Sequence, residues 1–192
     1  AGNVLWCGSF SKTLSPQLRL GWIAAGRHLE QVSRLKQLSS GSATPFVQRA
    51  VANFLASGRY ERHLRAMRRA LAEQCSRLRE AVAASFPDGT CVSNPAGGLV
   101  LWVELPQALD ASALLERAAA DGIVFMPGEL FSARGGFRSC LRLSFGEPWS
   151  AERDLAIRRL GALAGAASAC TRAAASPAPL PCHSSPDRER LE

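Results

Sequence analysis

The chain has 192 residues, 47% of them apolar and 20% charged, and a formal net charge of +7. That is enough to bury a sizeable core in one domain, or in a domain plus part of another. No uninterrupted apolar run reaches membrane-spanning length and the first residues lack a charged start before a long apolar stretch, so no membrane contact or signal peptide is expected, and a soluble, cytoplasmic protein is. Six cysteines (Cys7, Cys75, Cys91, Cys140, Cys170 and Cys182) are scattered without a CxxC pair or a histidine cluster at metal-ligand spacing. They are expected to be free, reduced and buried thiols, and no metal site is expected.

In chain order, Val4 to Phe10 reads as a buried strand and Leu20 to Gly26 as a second, with SKTLSPQ as the loop between them. Leu29, Val32, Leu35 and Leu38 recur at helical spacing. A GSATP break follows, in which Thr44 can cap and Pro45 can take the first helical position of a helix that ends at Gly58. A long helix is predicted from about Arg59 to Ser85, with Leu64, Met67, Leu71, Cys75, Leu78 and Val82 along one stripe and Pro87-Asp88-Gly89 closing it. Arg59, Arg62, Arg65, Arg68, Arg69, Arg77 and Arg79 face only Glu61, Glu73 and Glu80 in this segment. A nucleic-acid surface is one reading; a solvated helix face is the better one, because Tyr60 is the only aromatic residue among the arginines.

The remainder reads as strand (GGLVLWVEL), helix (ASALLERAAADG), strand (IVFM), strand (RSCLRLSF) and helix (SAERDLAIRRLGALAG), economically assembled as an α+β lobe. From about residue 166 the chain is rich in Ala, Pro and Ser, and a disordered tail over 166–192 is expected.

Chemistry concentrates in Gly8-Ser9-Phe10-Ser11-Lys12-Thr13-Leu14-Ser15-Pro16-Gln17-Leu18-Arg19-Leu20-Gly21-Trp22, which puts hydroxyls, one amine and one guanidinium at the tip of a strand-loop-strand unit. Lys12 can form an imine with an aldehyde, while Ser9 and Arg19 offer a phosphate dianion a hydroxyl donor and a bidentate cation. A plain Ser-rich loop that happens to hold a lysine is the competing reading. In CLRLSFG, Arg142 alternates with Leu141, Leu143 and Phe145. Either it awaits a carboxylate or it is an edge-strand arginine reaching solvent. Gly97-Gly98 and Pro127-Gly128 fit either close approach to a ligand or ordinary turns.

GSFSKTLSPQLRLGW resembles the lysine-bearing segment of class I/II aminotransferases, in which S-x-S-K is followed by a proline and then R-x-G. The resemblance implies an α/β fold of the fold-type I pyridoxal 5'-phosphate (PLP) class, with Lys12 forming the internal aldimine. It implies Ser9, Ser11 and Arg19 around the cofactor, and Arg142 on the substrate α-carboxylate. GRYERHLRAMRRAL, PAGGLVLWVELP and PGELFSARGGFRSCLRLSFGEPW are similar to the aminotransferase-like domain of MocR regulators of the GntR type, and the likeness runs from about Val4 to Ala164.

It further implies that 1–58 is the end of the large PLP-binding domain, 59–86 a connecting helix and 87–165 a small C-terminal lobe. The family's ring-stacking aromatic residue, its pyridine-facing aspartate and its Gly-rich phosphate turn have no counterpart here. The chain is therefore expected to be a C-terminal fragment that is inactive alone. In the intact protein the expected activity is transamination between an amino acid and a 2-oxo acid, in a homodimer. The alternatives are a PLP- or amino-acid-sensing module of a regulator that meets DNA only through an N-terminal domain, and another fold-type I activity such as a lyase or decarboxylase.

Overall fold

The structure, a computed structural model, describes residues 2–106 and 109–175, with side chains through residue 169. The chain divides into two compact units, Ala1–Arg69 and Ala70–Glu192.

In the first unit, β1 (Trp6–Ser9) and β2 (Gly21–Ala24) form an antiparallel ribbon in which Trp6 lies opposite Ala24 and Ser9 opposite Gly21. The expected strands are there, but they are not buried: Trp6 is 69% exposed and Ile23 48%. Among the described residues no third strand pairs with them. Two helices follow, α1 (Leu29–Ser39) and α2 (Pro45–Ala56). Pro45 opens α2 as its spacing requires, because its missing N–H is one that no helix could satisfy. Thr44 makes no side-chain capping bond; the first turn is tied instead by Gln48, whose backbone N donates to the Thr44 carbonyl and whose Nε2 donates to the Ala43 carbonyl.

Helix α3 (Arg59–Ser85) begins in this unit and ends in the next. Its predicted stripe is real at the C-terminal end, where Cys75, Leu78 and Val82 are buried.

The second unit is a two-layer α/β lobe. Strands β3 (Cys91–Val92), β4 (Val100–Glu104), β5 (Met126–Pro127) and β6 (Cys140–Ser144) make an antiparallel sheet in the order β3-β4-β6-β5. Strand alternation sends Leu101, Val103, Leu141 and Leu143 to the core face, where they meet Leu78 and Val82 of α3 and two further helices, α4 (Ala111–Ala120) and α5 (Ala151–Ala175). Leu114, Ala118, Leu160 and Ala164 complete that core. At Gly161 of α5 an added Cβ would lie 2.4 Å from the Ser85 carbonyl oxygen, so only glycine allows the two helices this approach. Asp110 caps α4, accepting from the Ser112 and Ala113 amides at 2.9 and 3.1 Å.

Three boundaries differ from the sequence reading. The IVFM strand starts only at Met126, with Val124 turned out to solvent. β3 was not foreseen; two residues are too short for alternation to register. The tail expected from residue 166 is helical through Ala175, because alanine is the strongest helix former and because Ala164 and Ser168 are buried on this last helix. Residues 176–192 lie outside the described residues. Among the described side chains four cysteines are free as expected; Cys75 and Cys140 are buried, but Cys7 and Cys91 are exposed, and Cys170 and Cys182 lie outside the described side chains. No helix among the described residues is long and apolar enough to cross a membrane.

Candidate functional site

Residues 10–20 connect the two strands of the ribbon, and the connection is folded on itself. Phe10 N donates to the Leu20 carbonyl at 3.0 Å, while the Leu14 and Ser15 amides both donate to the Phe10 carbonyl, at 2.8 and 3.2 Å. Ser15 then caps a single 3-10 turn, Pro16–Leu18. Arg19 leaves that turn with φ 47°, one of two non-glycine residues with positive φ among those described. A left-handed arginine is costly and persists only where its surroundings fix it.

Ser9, Ser11, Lys12 and Arg19 are thus carried by one ribbon end. Ser9 Oγ accepts from the Ser11 amide at 3.1 Å, which leaves the Ser9 hydroxyl hydrogen free to donate. Neither Lys12 nor Arg19 has a hydrogen bond or ion pair among the described residues, and both side chains are exposed. The chain has only two lysines, and the other, Lys36, donates to the Gly41 carbonyl. A cavity of about 530 Å³ opens beside Leu20 and Gly21 toward Lys36 and Gln48, and neither Lys12 nor Arg19 lines it.

Sequence reasoning missed what holds the loop. Tyr60 Oη donates to Thr13 Oγ1 at 3.0 Å, and His63 Nε2 lies 2.8 Å from the Thr13 carbonyl oxygen. A carbonyl only accepts, so Nε2 carries the ring proton. The Tyr60 ring stands edge-on to Phe10 and Phe54, with centroids 6.1 and 6.3 Å away. The available signal was that Tyr60 and His63 fall one turn apart within a run of arginines.

Arg142 belongs to the other unit. It lies on the open face of the lobe sheet, between Trp102 of β4 and Met126 of β5. Its guanidinium sits over the Phe131 ring at 4.9 Å from the centroid, and Trp102 is edge-on to both Phe131 and Phe137. Among the described residues it has no anionic partner. Four apolar side chains around an unpaired cation form a surface that a carboxylate bearing an apolar substituent would complement. Pro127-Gly128 closes on protein, not on open space: a Cβ at Gly128 would lie 2.5 Å from the Phe137 carbonyl oxygen and 2.7 Å from Cys140 Cβ. Gly97 and Gly98, by contrast, stand in open space before β4. Cys140 is buried, and that burial pushes its thiol up. No cluster of His, Cys, Asp or Glu among the described residues could hold a metal ion.

The fold is that of aminotransferases. The multiple substrate aminotransferase of Thermococcus profundus superposes with a TM-score of 0.80 at 28% identity, over 88% of this chain and 42% of that one. LysN, the alpha-aminoadipate aminotransferase of Thermus thermophilus solved with N-(5'-phosphopyridoxyl)-L-leucine, does so with a TM-score of 0.76 at 31% identity, over 88% and 43%. Residues 1–160 match the family described as aminotransferase class I and II, and the chain belongs to that family. It is also 35% identical over 160 residues to the uncharacterized HTH-type transcriptional regulator YjiR of Escherichia coli, covering 83% of this chain and 34% of the relative. The chain thus spans about a third of the length of that curated relative.

Proposed function

We propose that the intact protein is a pyridoxal phosphate-dependent aminotransferase that exchanges the amino group of an amino acid with a 2-oxo acid, working as a homodimer. The observation that carries this reading is an anchored loop presenting an amine and a guanidinium, Lys12 and Arg19, that have no hydrogen-bond or ion-pair partner among the described residues. The donor set fits the cofactor: Lys12 Nζ would hold its aldehyde carbon, and the Arg19 fork with the Ser9 and Ser11 hydroxyls would hold its phosphate.

When bound, the cofactor supplies an electron sink that makes an amino acid's α-C–H acidic. The chain's own residues supply the rest. Arg142 would donate two parallel N–H bonds to the substrate carboxylate and so orient the α-carbon, with the Trp102, Phe131 and Phe137 rings as apolar surface beside that ion pair. Lys12 Nζ, once the substrate's own amino group has taken its place, would accept the α-proton and later return it.

Two substitutions in the intact protein test the assignment. Lys12→Ala should abolish both the imine absorption band of the protein loaded with pyridoxal phosphate and keto-acid formation. Arg142→Ala should weaken apparent binding of every amino acid about 10- to 100-fold, the worth of charge-assisted hydrogen bonds. Survival of the absorption in the lysine variant contradicts the reading.

The likeness to YjiR favours a second reading, an effector domain whose pocket senses pyridoxal phosphate or an amino acid and reports to a DNA-binding domain outside this chain. Here the intact protein would bind DNA with an affinity that changes when an amino acid is added, with little keto acid formed.

A further inference from the structure

The loop that carries Lys12 meets α3 through a ring contact at Phe10 and through hydrogen bonds at one residue, Thr13. Between Phe10 and Leu20, the only hydrogen bonds to an element beyond the ribbon itself among the described residues are the two that reach Thr13 from α3. Tyr60 and His63 are one helical turn apart on α3, so their side chains stand side by side. One takes the threonine's side-chain oxygen and the other its main-chain carbonyl.

We propose that Tyr60 and His63 are positioning residues that clamp Thr13 and thereby aim the Lys12 amine; the inference rests on Lys12 being the cofactor lysine. Two bonds at different atoms of one residue restrict it far more than one. The bond to the carbonyl sets the plane of the peptide that follows Thr13, and the bond to Oγ1 sets the rotamer about Cα–Cβ. With both fixed, the residue immediately before, Lys12, can no longer swing with the loop. Two such bonds add little stability, so the value of the clamp lies in geometry. The clamp is itself rigid, since the Tyr60 ring is held edge-on by Phe10 and Phe54.

A double-mutant cycle in the intact protein loaded with pyridoxal phosphate tests this. Tyr60→Phe keeps the ring packing and removes only the hydroxyl; Thr13→Val removes only its acceptor. Each should lower kcat about 10-fold with KM for the amino acid within about 2-fold, and the double variant should be no worse than either single one. His63→Ala should also lower kcat, whereas His63→Gln, which keeps an N–H donor, should restore most of it. Amide hydrogen exchange over residues 10–20 should accelerate in Tyr60→Phe, a readout independent of turnover.

Additive losses in the cycle, wild-type kcat in Tyr60→Phe, or a glutamine variant no better than the alanine one would each overturn the clamp. A Lys12→Ala control separates the two ideas. If that variant keeps the imine absorption band, the cofactor-lysine reading fails; if it loses the band while Tyr60→Phe behaves as wild type, only the clamp fails.

Discussion

The two units of the chain are stabilised in different ways. In Ala70–Glu192, Leu78, Val82, Leu101, Val103, Leu141 and Ala164 are completely buried in one continuous core. Among the described residues of Ala1–Arg69 only Ala25 and Val51 are buried, while Trp6, Leu29, Leu38 and Phe46 are more than half exposed. The lobe is held by apolar burial, and the lysine-bearing ribbon by strand pairing and a few side-chain hydrogen bonds. The groups with chemical potential follow the same division: the amine sits on the sparsely packed ribbon, and the unpaired Arg142 on the open face of the well-packed sheet.

The sharpest way to break this contrast is to delete the same side chain from each unit. Leu101→Ala should destabilise the chain by about 3–5 kcal/mol, since Leu101 is fully buried and the sheet beneath it cannot collapse into the gap. Leu29→Ala, at a position 61% exposed, should change stability by less than about 0.5 kcal/mol. Urea unfolding of the two variants measures both, and similar costs would erase the distinction.

A smaller effect tests whether the lobe also relies on its polar edge. The Arg138 guanidinium at 2.9 Å, together with the Ala113 and Ser112 amides, holds the Asp110 carboxyl below its ordinary value. A carboxyl depressed by folding contributes stability above the unfolded value, roughly 3.9, and loses that contribution as pH falls through the lower folded value. Asp110→Ala should therefore cost about 1 kcal/mol near neutral pH, the usual worth of an N-cap, and the difference from wild type should shrink in acid. Unfolding curves from neutral pH down to about pH 3 check the sign.

Much of the fold was legible in the sequence because periodicity reports what a side chain meets within its own element. The alternation around Arg142 and the stripe on α3 gave the elements that build the lobe. The site's anchoring was not legible in the same way. Thr13 and its two partners are 47 and 50 residues apart, and neither spacing nor composition brings them together. Lys12 and Arg19 stood out only through their motif, and the strain at Arg19 is a backbone property that no residue type announces. The end of α5 was misread because an Ala- and Ser-rich segment looks unable to bury anything, yet alanine is what a close helix contact needs.

If the proposed function holds, one amine, Lys12, is the covalent attachment point for pyridoxal phosphate. Borohydride reduction of the loaded intact protein, followed by peptide mapping, addresses it directly. The phosphopyridoxyl group should appear on the peptide containing Lys12; its appearance on Lys36, or on neither lysine while the cofactor is bound, would contradict the account.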